Sequence, residues 1–402
     1  MTDRRDPPDC RDPASAATKA NSAAAASLPP IASAATAGNR WSDWMERALR
    51  LARLGEGHTS PNPLVGAVVL DATGGLVGEG FHARAGEPHA EVGALRQAGE
   101  RARGGTLVVT LEPCCHHGRT PPCCEAVIAA GVARVVVALT DPDPRVAGQG
   151  LARLRAAGLE VIAGVREAQA QAQNRAFLHR CRHGRPLALL KWAMSLDGRT
   201  ALPNGESQWI SGPPARDWVH QLRARCDAVM VGGGTLRADD PRMTSRGRRA
   251  PEPLRVVLSR TLDLPTAARL WRQEEGPVLV AHGPEASAEA RDRLDGLGVP
   301  RLPLHRCGPL PLLEALASRG CNQVLWECGP TLAAAALQEG CVQEVVAVIA
   351  PKLLGGDPAR TPLARLRAQT MAEVWPLLAA ELAWLDGDLL WTGAVGSPSG
   401  AG

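Results

Sequence analysis

The chain has no tyrosine and only two phenylalanines among its 402 residues. No phenol is therefore available as a proton donor, and any catalytic acid must be a carboxyl, thiol, imidazole or ammonium group. Neither sign of charge is in excess. Lys and Arg number 45 against 41 Asp and Glu, a formal net charge of +4, far from the basic surplus of a dedicated nucleic-acid binder. So small a surplus is compatible with an anionic small molecule such as a phosphate ester. No apolar run has the length of a membrane span. The opening residues carry no apolar signal core either, so a cytoplasmic protein without membrane partners is expected. Residues 1–39, rich in Ala, Ser, Pro and Asp, show no apolar period and read as a disordered extension.

What is present points to two α/β domains. The length exceeds what one core holds, since single cores rarely grow past about 250–300 residues. Trp41, Trp44, Met45, Ala48, Leu49 and Ala52 recur at helical spacing and open an ordered domain over 40–164. Strands are expected at Leu64–Leu70, Gly75–Phe81, Thr106–Leu111, Ala133–Leu139 and Leu159–Ala163. Helices are expected near His89–Ala98, Cys123–Ala130 and Gly148–Ala157, and this alternation predicts a three-layer fold. Residues 165–185 are polar and rich in Arg and Gln, as in a connecting helix and linker. A second alternation fills 186–396, followed by a tail at 397–402. Its expected strands are Leu187–Ala193, Ala228–Val231, Leu254–Ser259, Pro277–Ala281, Gln323–Glu327 and Val345–Ile349, with helices near Pro213–Arg225 and Thr331–Leu337. No repeat relates the two halves, so two different folds are expected.

Eleven cysteines would suit a disulfide scaffold, but four of them (Cys114, Cys115, Cys123 and Cys124) crowd one short stretch, which reads as metal ligation in a reducing compartment. With His89 they offer the donors of a zinc site, and a hydrolytic zinc needs three protein ligands and an open position for water. His89 and Cys123 both fall at expected helix starts, where the helix dipole favours a thiolate. Glu91, two residues past His89, is placed to shuttle protons. The general zinc-deaminase signature pairs H-x-E with P-C-x-x-C. Here eight residues separate Cys114 from Cys123, and from the residues alone either Cys123 or Cys124 could be the ligand. A closed structural zinc site drawing on Cys115, His116 or His117 is the competing reading. In the second half, Cys328-Gly329-Pro330-Thr331 follows an expected strand and opens a helix, where free backbone N–H groups suit a pyrophosphate. Gly232-Gly233-Gly234 also ends a strand and lets backbone approach a ligand closely. No Rossmann G-x-G-x-x-G occurs in this half.

Three stretches together carry a resemblance: Thr59-Ser60-Pro61-Asn62-Pro63-Leu64-Val65-Gly66, Pro88-His89-Ala90-Glu91, and the run from Leu111-Glu112-Pro113-Cys114 to Pro122-Cys123. They resemble the bifunctional diaminohydroxyphosphoribosylaminopyrimidine deaminase/5-amino-6-(5-phosphoribosylamino)uracil reductases of riboflavin biosynthesis, whose long ligand gap matches His116-His117-Gly118-Arg119-Thr120-Pro121-Pro122. Lys191 to Thr200, Gly205 to Ile210, Gly232 to Pro241 and Glu327 to Leu332 are similar to the same family's reductase half. The resemblance implies a cytidine-deaminase-like three-layer domain followed by a dihydrofolate-reductase-like α/β domain, with Zn2+ and NADPH as cofactors. It implies His89, Cys114 and Cys123 as zinc ligands, Glu91 as proton shuttle and Asn62 as a hydrogen-bond partner of the pyrimidine. His116, His117 and Arg119 would lie near the substrate mouth. NADPH would meet Ala193, Trp209, Thr235, Asp239, Ser259, Gly329, Pro330 and Thr331. The phosphorylated substrate would meet Ser207, Arg223, Met243, Arg246 and Glu327, the two arginines suiting a ribose phosphate. Lys191 is open between binding a ribose hydroxyl and simply ending a strand. The family also implies a homo-oligomer, a dimer through the reductase half. The rival class is a nucleic-acid base deaminase, such as a tRNA-editing enzyme, which shares the zinc chemistry but leaves the second domain without a task.

Overall fold

The apolar spacing that opens the chain does form a helix, α1 (Arg40–Arg53), and its Met45, Ala48, Leu51 and Ala52 are fully buried. The computed structural model describes residues 40–115, 122–142, 147–358 and 360–398. The expected extension at 1–39 lies outside them, as do His116, His117 and Arg119. The described residues divide into two compact units. One holds 40–59 and 64–173, and the other holds 60–63 and 174 onward.

The first unit is built on a five-stranded sheet of order β2-β1-β3-β4-β5. Its strands are β1 (Gly66–Leu70), β2 (Leu76–Phe81), β3 (Thr106–Leu111), β4 (Arg134–Leu139) and β5 (Glu160–Ala163). β1 and β2 form an antiparallel hairpin whose turn is tied by Asp71, whose Oδ1 accepts from the N–H groups of Thr73 (3.0 Å) and Gly75 (2.9 Å). β3, β4 and β5 run parallel, and such neighbours need crossovers. The helices α3 (Cys123–Ala129) and α4 (Gln149–Ala156) supply them. Close backbone approach fixes the layers. A Cβ on Gly66 would stand 2.0 Å from the Ala48 carbonyl of α1, and one on Gly80 would stand 2.3 Å from the Ala90 carbonyl of α2 (Ala90–Ala98). Gly80 pairs with Ala67, the neighbour of Gly66, and paired residues share a face while neighbours do not. Hence α1 and α2 cover opposite faces, giving three layers.

The second unit carries a nine-stranded sheet of order β10-β9-β8-β7-β11-β6-β12-β14-β13. Seven strands are mutually parallel: β6 (Leu187–Ser195), β7 (Ala228–Gly232), β8 (Leu254–Ser259), β9 (Val278–His282), β10 (Arg301–Pro303), β11 (Gln323–Trp326) and β12 (Glu344–Ala350). The hairpin β13 (Leu377–Leu385) and β14 (Asp388–Val395) closes one edge antiparallel. Strand residues alternate between two cores. Leu187, Leu189, Val229 and Val231 pack with α7 (Pro213–Arg225), α8 (Gly233–Asp239) and α9 (Ala288–Gly296). Ala188, Leu190, Ala228 and Met230 face α10 (Pro309–Ser318) and α11 (Pro330–Gln338). All six expected strands are present, but β10 and the β13–β14 hairpin were not expected. The stretch read as linker is two helices, α5 (Glu167–Gln173) in the first unit and α6 (Arg175–His183) in the second.

Candidate active sites

In the first unit, three elements deliver the metal-site residues. His89 is the N-cap of α2, Cys114 follows β3, and Cys123 is the first residue of α3. His89 Nδ1 lies 3.1 Å from Cys123 Sγ and 3.7 Å from Cys114 Sγ, and the three donor atoms fall within 4.8 Å of one another. Zn–S bonds of about 2.3 Å and Zn–N bonds of about 2.0–2.1 Å place tetrahedral N and S ligands about 3.5 Å apart. The donor set therefore fits zinc. Cys114 Sγ accepts from Cys123 N–H at 3.3 Å. The neighbouring Cys123 thiol pushes the Cys114 thiol down and is itself pushed up by Cys114, while the Cys114 sulfur raises His89. A divalent cation bound by these three donors would displace their protons. Glu91 is 3 % exposed, and its Oε2 is buried with no hydrogen-bond partner. Burial raises its pKa. Cys124 instead turns its thiol to the Pro113 carbonyl at 3.2 Å, and Cys115 lies 3.9 Å from Gln149 Oε1, so neither joins the cluster.

Two neighbours escaped the sequence reading as individual residues. His82 is 2 % exposed and meets the His89 ring edge-on at 5.3 Å, with Nδ1 3.2 Å from the Pro88 carbonyl. Glu112 is a buried carboxylate within the Leu111–Cys114 run. Its place in that run was the available signal. Asn62 falls in Ser60–Pro63, a segment grouped with the second unit. There Ser60 Oγ donates to Asp227 Oδ2 at 2.9 Å, Arg180 donates to the Pro61 carbonyl at 2.7 Å, and Asn322 Nδ2 donates to the Asn62 carbonyl at 3.3 Å.

In the second unit the parallel strands align their carboxyl ends along one edge, where open α/β sheets bind ligands. Ala193 lies two residues before the end of β6 at Ser195, Ser259 ends β8, Thr235 and Asp239 lie on α8 after β7, and Glu327–Thr331 follow β11. Gly329 N–H donates to Thr235 Oγ1 at 2.9 Å, joining two of the loops. Ser207 hydrogen-bonds Asp239, whose pKa burial raises. Ser259 Oγ accepts from Leu262 N–H at 3.1 Å. The guanidinium of Arg223 is engaged rather than free: Nε donates to Glu327 Oε1 at 2.5 Å, Nη2 to Oε2 at 3.1 Å and Nη1 to the Thr244 carbonyl at 3.0 Å. Lys191 Nζ is 3.6 Å from Glu327 Oε2, so it belongs to this cluster. Burial opposes the Glu327 charge, but Arg223 and Lys191 outweigh it and hold the carboxyl at about 2. The Met243 side chain is packed into the core at 2 % exposure, which leaves only its backbone to meet a ligand. Arg246 is exposed, and Trp209 lies open at the surface with the Arg216 guanidinium 4.6 Å from its ring centre.

The two sites define a zinc-dependent, cytidine-deaminase-like hydrolase joined to a reductase. Residues 39–139 match the cytidine and deoxycytidylate deaminase zinc-binding region, and residues 186–379 match the RibD C-terminal domain. The chain belongs to the RibD family, the bifunctional deaminase/reductases of riboflavin biosynthesis. It is 48 % identical over 349 residues to the riboflavin biosynthesis protein RibD of Synechocystis sp., covering 87 % of this chain and 95 % of that one. It is 47 % identical over 330 residues to RibD of Escherichia coli, covering 78 % and 88 %. Among solved structures, Acinetobacter baumannii RibD aligns with a TM-score of 0.80 at 41 % identity, covering 89 % of this chain and 99 % of that one. The Thermotoga maritima diaminohydroxyphosphoribosylaminopyrimidine deaminase/5-amino-6-(5-phosphoribosylamino)uracil reductase aligns at 0.77 and 33 % identity, again covering 89 % and 99 %.

Proposed function

We propose that the two sites act in order on one nucleotide. The first removes an amino group from 2,5-diamino-6-(5-phosphoribosylamino)pyrimidin-4-one, and the second reduces the ribosyl group of the product to ribityl with NADPH. The observation that carries the first step is the convergence of one imidazole and two thiols beside a buried, unpartnered carboxylate oxygen. His89, Cys114 and Cys123 would hold zinc, which would supply the Lewis acidity that acidifies water. Glu91 takes the two protons of the attacking water in turn, passing the first to the ring nitrogen and the second to the amino group that leaves as ammonia. Asn62 hydrogen-bonds the pyrimidine.

In the second step NADPH, when bound, would supply the hydride for ribose C1′. Thr235, Asp239, Ser259 and the Gly329–Thr331 turn hold the cofactor, with Ala193 and Trp209 beside it. Glu327, fixed by Arg223 and Lys191, binds the sugar hydroxyls, while Ser207, the Met243 backbone and Arg246 orient the sugar and its phosphate. The nucleic-acid reading is not favoured, because the RibD C-terminal domain accounts for the second half. Among the described residues no helix is long and apolar enough to cross a membrane, and the similarity to RibD biosynthetic enzymes supports a cytoplasmic enzyme. A homo-oligomer is supported by β13, an edge strand that leaves Leu378, Leu382 and Trp384 exposed.

Glu91→Ala tests the assignment. Deamination should fall by about 10²–10⁴-fold, while reduction of the pre-deaminated substrate keeps its parental rate. Equal loss of both activities would refute separate sites.

A further inference from the structure

Glu112 stands two residues before Cys114, with only Pro113 between them. The side chain is 3 % exposed, and its carboxylate is met by backbone N–H groups from two other places in the unit. Oε2 accepts from Asp141 N–H at 3.1 Å and from Gly148 N–H at 3.0 Å, and Oε1 accepts from Leu151 N–H at 3.1 Å. Gly148 is the N-cap of α4, has φ +74° and offers no side chain to cap the helix. Helix amino ends leave N–H groups without internal partners, and a side-chain oxygen at the cap normally takes one. Here Glu112, the residue just past β3, does so, with its negative charge at the positive end of the helix dipole.

The same turn is gripped from α4 and α3. A Cβ on Gly150 would lie 2.1 Å from the Pro113 carbonyl oxygen, so α4 rests directly on that backbone. Cys124 Sγ donates to the same carbonyl at 3.2 Å, and Cys124 N–H donates to the Cys114 carbonyl at 3.1 Å. On the β4 side, Glu112 N–H donates to the Leu139 carbonyl at 2.8 Å.

We propose that Glu112 is a positioning residue of the metal centre: by bonding the amino end of α4 and Asp141, it fixes the backbone from which Cys114 presents its sulfur to zinc. This rests on the reading of His89, Cys114 and Cys123 as zinc ligands. Zinc–ligand distances hold within about 0.2 Å, so a shift of a few tenths of an ångström at Pro113 is felt at the metal. Outer partners that orient ligands typically cost 10–100-fold in metal affinity or activity when lost.

The test uses the full-length Glu112→Gln and Gly150→Ala proteins. Glu112→Gln sets an amide NH2 against N–H donors, and Gly150→Ala pushes on Pro113 from the helix side. Zinc affinity is measured by competition with a chromophoric chelator, and the thiolate-to-cobalt absorption is recorded after cobalt(II) substitution. Both variants should bind zinc about 10–100-fold more weakly than the parent and shift the cobalt band, while reduction of the deaminated substrate stays parental. Parental zinc affinity and cobalt spectrum in the variants would overturn the proposal, whatever happens to thermal stability. If Glu112→Gln does not fold, Gly150→Ala decides alone. A parent protein that takes up no stoichiometric zinc would instead overturn the metal reading, and this proposal with it.

Discussion

At Glu327 one partly buried carboxylate balances two partly buried cations, Arg223 and Lys191, and the balance has consequences that can be measured. Its pKa is held at about 2 against an ordinary value of 4.5. A group depressed in this way adds stability that is fully present above the ordinary value and is lost as pH falls from there toward the folded one. The parent protein should therefore lose stability between about pH 4.5 and 2 more steeply than Glu327→Gln, as denaturant melts at stepped pH would record. The same substitution leaves Arg223 and Lys191 without their shared partner. Reductase kcat/KM should drop by about 10²-fold or more, the loss expected when a buried charge is stranded, while deamination is untouched. An unchanged reductase would remove Glu327 from the substrate site. The residue types of this cluster were legible from the Lys191 and Glu327 motifs. What could not be read was that Arg223 spends its fork on Glu327, because that pairing depends on α7 and the end of β11 meeting in space.

Packing of α2 against the hairpin decides where His89 and Glu91 sit. Gly78 and Gly80 of β2 let the helix approach so closely that a Cβ would lie 2.1 Å from the Ala94 carbonyl and 2.3 Å from the Ala90 carbonyl, respectively. Gly80→Ala should force the helix outward and cost about 1–3 kcal/mol, the usual range for overpacking. Chemical denaturation would measure the loss, and zinc content should fall while NADPH-dependent reduction persists. Normal zinc content with normal stability would contradict the packing argument. Elements of this kind were legible where a helical period dominated, as in α1, or where a short apolar β-branched run stood out, as in β3. The misses have physical causes. β13 reads Leu-Leu-Ala-Ala-Glu-Leu-Ala-Trp-Leu, good helix formers held as a strand by pairing with β14. α8 opens on Gly233 and Gly234, and glycine is a poor helix former. β10 is only three residues long and exists through its register with β9.

For the whole molecule, the exposed β13 edge and the order of the two reactions are the open quantities. Leu382→Glu with Trp384→Glu should convert a sedimenting dimer or larger assembly into monomer. A parent that already sediments as a monomer would dismiss the oligomer. That the chain holds two different folds, and that His89, Cys114 and Cys123 converge, was readable because motif spacing survives without tertiary context, whereas the placement of Ser60–Pro63 with the second unit depends on side-chain bonds that no spacing reveals. The most direct measurement of the central claim is NADPH oxidation, followed by absorbance, on giving the zinc-loaded protein the undeaminated diaminopyrimidine ribosylamino phosphate. Two live sites in sequence predict oxidation that requires both zinc and Glu91 and that returns in Glu91→Ala when deaminated substrate is supplied. Oxidation that proceeds at the parental rate without zinc, or in Glu91→Ala with the undeaminated substrate, would contradict it.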